Sequence, residues 1–440
     1  MISVENLTQD VSDDEDIYRN TTGTLLMHLK RSGIRDVEVI AEQMDALRHR
    51  QSREGIYSFD AFSCRGSDAA SPVATSLEDA PRDCSIWSTN LYLGLNRHPK
   101  VIASAVEAVR QMGTGCGTSA ISGGMNILHR KIEATLQRWF NKEAVMLFPT
   151  GFTANLGTLA ALCQEGDCVL IDEESHASIR DGIRQSPARR WVTFQHNDIE
   201  DLARKLGEAQ QTCRGKTIVI VESAYSMSGD ICPLAELVQL KQRYNFLLFV
   251  DEAHAFGIYG DGGRGLCQQA GVTEQVDFIA STFSKAAASL GGFVAMSRRY
   301  ASYLQWSANA YAFQACFTPA DAAAVLAALE IIETEPEIGR ELHEKNRYMR
   351  AQLQKAGFDL RNSQTPIVPI YIPDTRKLLK TCFELYKNGV FSVPVAHPMV
   401  AEHDGRIRFI VNARHSYQQI DQTVALLAEL AEKHALFAPS

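Results

Sequence analysis

The stretch Phe278-Ile-Ala-Ser-Thr-Phe-Ser-Lys285-Ala-Ala-Ala-Ser-Leu-Gly-Gly-Phe293 sets the reading of this chain. Its first six residues form an apolar run of strand length. The run ends in Ser284-Lys285 and small residues, and Gly291-Gly292 opens a second apolar run. A buried ammonium is costly, so lysine suits a narrow turn only if its amine has a partner. A lysine that condenses with an aldehyde suits such a place: desolvation lowers its pKa, and the small neighbours leave room for a flat ring. A lysine snorkelling from a strand end accounts for this stretch equally well.

Working outward, similar apolar runs occur at 144–148, 168–171, 191–194, 217–221 and 246–250. Helical patterns at 153–162, 177–185, 199–209 and 234–244 separate most of them. His98-Pro99 opens a helix to residue 112, with proline at its tolerated first-turn position, and 126–140 reads as another helix. Runs this apolar, separated by helices, predict an α/β fold with a mainly parallel sheet covered on both faces. Ligands of such sheets gather at the carboxyl ends of the strands.

Each strand end carries its own chemistry. Thr150-Gly151-Phe152 joins a strand to a helix, where backbone N–H groups and the helix N-terminus favour a phosphate, although many such turns carry glycine. His176 in Ser175-His-Ala-Ser178 reads as a helix cap or as a flat ring placed to stack on a ligand. Glu222-Ser-Ala-Tyr-Ser226-Met-Ser-Gly-Asp230 offers hydroxyls to a ligand, though turns use the same residues for themselves. Asp251 follows five apolar residues, where a carboxylate needs a cationic partner, and His254 reaches the same pocket. A pyridoxal phosphate pyridinium would be one such partner; a metal ion or a helix N-cap would also explain Asp251. A glycine turn, a histidine, an aspartate and a lysine, each closing a separate strand of one parallel sheet, converge on one crevice. That combination is the pattern of a Schiff-base pyridoxal phosphate (PLP) enzyme.

The rest of the chain bounds the reading. With 440 residues, 45% hydrophobic and 22% charged, it is long enough for more than one ordinary globular core. A net charge of −8 offers no attraction to nucleic acid or anionic membrane. No apolar run approaches the roughly 18 residues a membrane helix needs, and no secretory signal stands out. The ten cysteines are scattered without a C-x-x-C pair, so no metal site or disulfide scaffold is expected, and a cytoplasmic location is. Three segments are expected: an N-terminal extension over 1–86, a large cofactor-binding domain over 87–318 and a smaller C-terminal α+β domain over 319–440. In the extension, Asp13–Asp16 reads as a solvated tail, 36–53 as a helix with Val37, Ile40, Met44 and Leu47 on one face, and 63–83 as loop. In the C-terminal part, helices are expected at 320–333, 337–356 and 417–434, with strands at 367–372 and 406–411.

From about residue 90 to residue 421 the chain resembles the α-oxoamine synthases of fold type I, which include serine palmitoyltransferase, aminolevulinate synthase and amino-oxononanoate synthase. The resemblance rests on Ser122-Gly123 leading to His129-x-x-x-Glu133, on Thr150-Gly-Phe-x-x-Asn155, and on Ser175-His-Ala-Ser178. It continues through Glu222-Ser-x-Tyr-Ser226-Met-x-Gly229-Asp230-x-x-Pro233, Asp251-Glu-Ala-His254-x-x-Gly257-x-x-Gly260-x-x-Gly-Arg264-Gly265, Thr282-x-Ser284-Lys285 and Arg406-Ile-Arg408. It implies a large mainly parallel-sheet domain with a smaller α+β domain, and these roles: Lys285 joins the cofactor and shuttles protons; His176 stacks on its ring; Asp251 pairs with the ring nitrogen. His254 and Ser226 lie near the phenolic oxygen, Gly151 and Phe152 offer N–H groups to the phosphate with Thr282 beside it, and Arg408 grips the substrate carboxylate. The chain departs from the family pattern in a 122–129 segment one residue longer, in Ser119 where relatives carry arginine, and in Ser228 where Met-Asp-Gly-Asp is common.

The reaction so implied is decarboxylative condensation of a small α-amino acid with an acyl thioester, carried by coenzyme A or an acyl carrier protein, in a homodimer. The alternatives are an aminotransferase on the same fold, which needs no thioester, and a non-catalytic ligand-sensing or scaffold protein.

Overall fold

The computed structural model describes residues 22–53, 61–75 and 80–436; the acidic run Asp13–Asp16 lies outside them. Helices Thr22–Arg31 and Val37–Arg53 pack against each other through Leu25, Leu29, Ile40 and Leu47. Val37, expected on that apolar face, is exposed instead. Strands β1 (Phe62–Ser63), β2 (Ala70–Ala74) and β3 (Arg82–Ile86) follow.

The expected apolar runs become β4 (Ala144–Phe148), β5 (Cys168–Asp172), β6 (Arg190–Phe194), β7 (Thr217–Glu222), β8 (Leu247–Asp251) and β9 (Phe278–Thr282). The run opened by Gly292 becomes β10 (Gly292–Met296). Together they make one seven-stranded sheet in the order β4-β10-β9-β8-β7-β5-β6, in which only β10 runs antiparallel to its neighbours. Every residue of β5, β7, β9 and β10 is buried. Alternate residues feed opposite faces, as the two-residue period of a strand requires: Val219 and Val221 enter one core cluster, Ile218 and Ile220 the other. Local signals set the helix starts. His98 caps Pro99–Met112, and capping boxes start Ile127–Phe140 at Asn126 and Gly151–Leu162 at Thr150.

Beyond the large sheet come β11 (Ile367–Tyr371), β12 (Val390–Phe391), β13 (Val393–Val395) and β14 (Arg406–Ile410). β11, β14 and β13 form a small antiparallel sheet. β12 instead pairs in parallel with β3. The stretch 63–83, expected to be loop, therefore contains strands, and a boundary after residue 86 separates strands that are hydrogen-bonded together. The Ser-, Pro- and Asp-rich sequence gives no apolar alternation. Pairing rests on backbone hydrogen bonds and on a small cluster of Val73, Cys84, Ile86 and Tyr386. Helix Pro319–Thr334, expected at the start of the smaller domain, packs against Pro99–Met112 and Ile127–Phe140. No described helix is long and apolar enough to cross a membrane.

Candidate active site

Parallel strands align their carboxyl ends, so the residues that follow β4, β5, β7, β8 and β9 meet at one edge of the sheet. Asp251 ends β8 directly beside Glu222 at the end of β7. Asp251 is buried; its Oδ2 accepts from Asn155 Nδ2 at 2.7 Å and its Oδ1 from the Ala253 N–H at 2.9 Å. Asn155 Nδ2 also lies 3.0 Å from Ser178 Oγ, which stands 2.7 Å from His176 Nδ1. A single amide thus ties the strand-end carboxylate to the histidine expected to stack, whose side chain is exposed. The His176 N–H donates to Glu222 Oε1 at 2.6 Å. Burial, then the neighbouring Asp251, push the Glu222 carboxyl well above the usual carboxylate range, so Glu222 holds its proton.

After β9, a tight turn closed by Ala288 N–H to Lys285 O and Ser289 N–H to Phe283 O presents Lys285. Its Nζ lies 2.8 Å from His254 Nε2, and His254 Nδ1 lies 2.6 Å from Tyr92 Oη. Burial, then the cations of Lys285 and Arg408, hold the His254 pKa well below its ordinary value, so the ring is neutral. With Nε2 accepting from the lysine ammonium, Nδ1 carries the ring proton and donates it to Tyr92. Burial lowers the Lys285 pKa to about 8, against the opposing pull of Asp251. The reactivity of Lys285 in cofactor-free protein towards an aldehyde reagent is therefore expected to rise about tenfold from pH 7 to 9 and level off above it, whereas an ordinary lysine keeps gaining to about 10.4. Rates of labelling of the folded cofactor-free protein across this range, read afterwards on the Lys285 peptide from a digest, check the point, and a rise without a plateau contradicts it.

On the other side of the crevice, Gly151 and Phe152 head a helix whose first intrahelical bond is Ala154 N–H to Thr150 O, so their own N–H groups precede the ladder. A Cβ on Gly151 would stand 2.5 Å from Thr282 Cβ, which leaves only glycine for this approach. The Thr282 hydroxyl donates to Gly291 O at 3.1 Å and lies 2.8 Å from Ser284 Oγ. Arg408, on β14, is buried; its Nε donates to Ser226 O at 2.5 Å and its Nη2 to Asn90 Oδ1 at 3.0 Å. The Ser226 contact is thus made by its carbonyl. Arg408 Nη1 makes no hydrogen bond within the described residues.

The structure brings Asp251, His254 and Lys285 together and sets His176 beside them through Asn155 and Ser178. Tyr92, Asn90, Asn155 and Glu222 join this set without having been assigned roles from the sequence. Asn155 stood within a quoted motif. Tyr92 and Asn90 sit far along the chain from their partners and carry no local signature. Tyr92 also holds an unusual backbone, with φ at 34°, a conformation that costs about 1–3 kcal/mol outside glycine.

These residues fit PLP. Asp251 is a buried carboxylate with hydrogen bonds only from neutral donors, so it can pair with a pyridinium. Lys285 supplies an amine, and the helix N-terminus at Gly151 suits a phosphate. Residues 82–427 match the family model for aminotransferase class I and II. Serine palmitoyltransferase of Bacteroides thetaiotaomicron is 37% identical over 81% of this chain and 89% of its own. The 8-amino-7-oxononanoate synthase of Thermoanaerobacter pseudethanolicus is 33% identical over 91% of this chain and 99% of its own. The chain belongs to the α-oxoamine synthase family. Among solved structures, a serine palmitoyltransferase from S. paucimobilis with a bound PLP–myriocin aldimine superposes with a TM-score of 0.86, at 26% identity, over 92% of this chain and all of its own. Another, carrying PLP as an internal aldimine, gives 0.85 at 27% identity over 92% and 100%. As an α-oxoamine synthase the protein is a PLP-dependent enzyme of fold type I. The ligand-sensing or scaffold alternative is thereby set aside.

Proposed function

We propose that this α-oxoamine synthase condenses a small α-amino acid with an acyl thioester, on coenzyme A or a carrier protein, and releases CO₂, the free thiol and an α-amino ketone. The observation that carries the proposal is the buried chain Tyr92–His254–Lys285 set near the strand-end pair Asp251 and Glu222. The relatives named as serine palmitoyltransferase and 8-amino-7-oxononanoate synthase support it.

PLP, when bound, supplies an electron sink that lets a carbanion form at the amino-acid Cα. The protein's own residues do the rest. Lys285 anchors the cofactor and then takes the Cα proton, for which a pKa of about 8 is well matched near neutral pH. Neutral His254 accepts from Lys285 and is itself oriented by Tyr92. Asp251 would hold a proton on the ring nitrogen, and Asn155 fixes both its carboxylate and, through Ser178, the side chain of His176. The N–H groups of Gly151 and Phe152, with Thr282 and Ser284 beside them, would receive the phosphate; Ser226 and His254 would lie near the phenolic oxygen. Arg408, with Asn90, would receive the substrate carboxylate.

The test incubates pure holoenzyme with single small amino acids and either acyl-coenzyme A or acyl carrier protein, following CO₂ and free thiol. Equal release of both supports the proposal. Transfer of the amino group to a 2-oxo acid without either product would make it an aminotransferase. Arg408→Lys is expected to weaken amino-acid binding by about 1–3 kcal/mol, because it keeps the charge but loses the planar fork, while cofactor affinity stays near the original. Titrations of both ligands separate the two effects; equal losses would make Arg408 structural.

We also propose a homodimer. Phe152, Leu290, Trp306 and Phe313 are all exposed, Trp306 by 74% and Phe313 by 81%, and Phe152 heads the phosphate-side helix. Light scattering is expected to give twice the chain mass; a fully active monomer contradicts it.

A further inference from the structure

Beside the cofactor crevice lies a second, half-buried polar cluster, centred on His196, which follows β6. Asp172, the fully buried last residue of β5, has Oδ1 2.9 Å from His196 Nδ1. The opposite ring nitrogen, Nε2, stands 3.4 Å from Asp230 Oδ2 and 3.9 Å from Glu174 Oε2. A carboxylate only accepts, so a ring that faces carboxylates through both nitrogens bonds to both only when each nitrogen carries a proton. Asn197 Nδ2 also stands 3.4 Å from Nε2, but it is neutral and competes with two carboxylates there.

The surroundings keep that charge. Backbone N–H groups of Glu174 and Asn197 donate to Asp172 at 2.8 and 2.9 Å, and the His196 N–H donates to Glu173 Oε1 at 3.0 Å. The Tyr225 ring stands perpendicular to the imidazole, with 4.4 Å between ring centroids. From β14, Arg406 adds positive charge near Glu174 and is itself paired with Asp404. Burial alone would lower the His196 pKa, yet the hydrogen bonds of Asp172 and Asp230 and the charge of Glu174 raise it to about 10.

Asp230 is where this cation meets the site. It closes the turn after β7, with Tyr225 N–H bonded to Asp230 O at 3.0 Å and Gly229 N–H to Tyr225 O at 3.0 Å. Gly229 has φ 74°, and a Cβ there would stand 2.5 Å from Ile367 O, so the turn is packed directly on the small sheet. The carbonyls of this turn face β14: Ser226 O accepts from Arg408 Nε, and Met227 O from Arg406 Nη1 at 3.3 Å.

We propose that His196, as an imidazolium bridging Asp172 and Asp230, is a positioning residue that locks the 225–230 turn and thereby aims Arg408 at the carboxylate of the amino-acid substrate. The inference rests on the reading of Arg408 given above.

Two carbonyl reagents test it on the holoenzyme. Aminooxyacetate carries a carboxylate and methoxyamine does not, and both react with the cofactor with a change in absorbance. In His196→Gln, and in Asp230→Asn, which frees the turn but leaves the Asp172 contact, the aminooxyacetate rate constant is expected to fall about tenfold while the methoxyamine rate stays within about twofold. In an Arg408→Lys background, His196→Gln should add little further loss, because both changes spoil one contact. Nitrogen NMR of labelled histidine should show both His196 nitrogens protonated at pH 8.5. Equal losses for the two reagents would mean a general structural role, and a neutral His196 ring at that pH would remove the cation; either overturns the proposal. If His196→Gln does not fold, Asp230→Asn alone decides by the same ratio. An unchanged ratio in Arg408→Lys itself overturns the carboxylate reading of Arg408, and the aiming role with it. An altered ratio in Arg408→Lys with normal ratios in the other two variants overturns only the role of His196.

Discussion

Replacing Lys285 by alanine is expected to reduce turnover by about three to four orders of magnitude, near the upper end of what a positioned acid–base group supplies. The same substitution should abolish the fixation of cofactor by borohydride. The structure gives two reasons for so large a loss. Lys285 Nζ has His254 Nε2 at 2.8 Å, and burial brings its pKa to about 8, so one amine would serve both as the covalent anchor and as the base. His254 cannot take over the proton, because burial and the cations around it hold its pKa well below the ordinary value. The wild-type protein should purify yellow, and after borohydride its peptide map should carry the reduced cofactor on Lys285 alone. A label on another lysine, or turnover in Lys285→Ala within tenfold of wild type, would sink the assignment.

Asp251→Asn should be the second most damaging change, lowering turnover by about two to three orders of magnitude. The substitution keeps the shape and leaves the bond to Ala253 N–H available, so folding should survive. What disappears is the carboxylate that would face the ring nitrogen, and Glu222 beside it keeps its proton and cannot replace it. Removing one partner of a buried ion pair costs about 3–5 kcal/mol, and that is the interaction a protonated ring nitrogen would lose. With its oxygen kept on the Ala253 N–H, asparagine turns its Nδ2 towards Asn155 Nδ2, so the Asn155 amide has to flip and the Asn155–Ser178–His176 link is disturbed as well. The checks are steady-state turnover and the thermal midpoint of the cofactor-free protein. A large fall in the midpoint with turnover reduced in proportion to folded protein would make Asp251 a structural carboxylate.

Other positions show where local reading reaches its limit. Gly151, His176, Ser226, Asp251, Thr282 and Lys285 each lie within a few residues of a strand end, and parallel strands place such residues side by side whatever the loops do. Tyr92 and Asn90 do not share that property. They reach His254 and Arg408 across 162 and 318 residues of chain. The turn carrying Ser226 likewise offers Arg408 its backbone carbonyl, a role that no side-chain pattern announces.

The amino-acid sequence by itself determined the six apolar runs, the helices between them, and the crevice at which their carboxyl ends meet. Burial on both sheet faces and the caps at Asn126 and Thr150 are local properties, written in residue type and spacing. Only the tertiary structure decided that β3 pairs with β12 and that Pro319–Thr334 packs on the helices of the large sheet. It also decided that Tyr92 steadies His254 and that His196 bridges two carboxylates. Those contacts join segments with no shared periodicity. Their partners are chosen by the packing of the whole chain and by the need of each buried polar group to find a hydrogen bond.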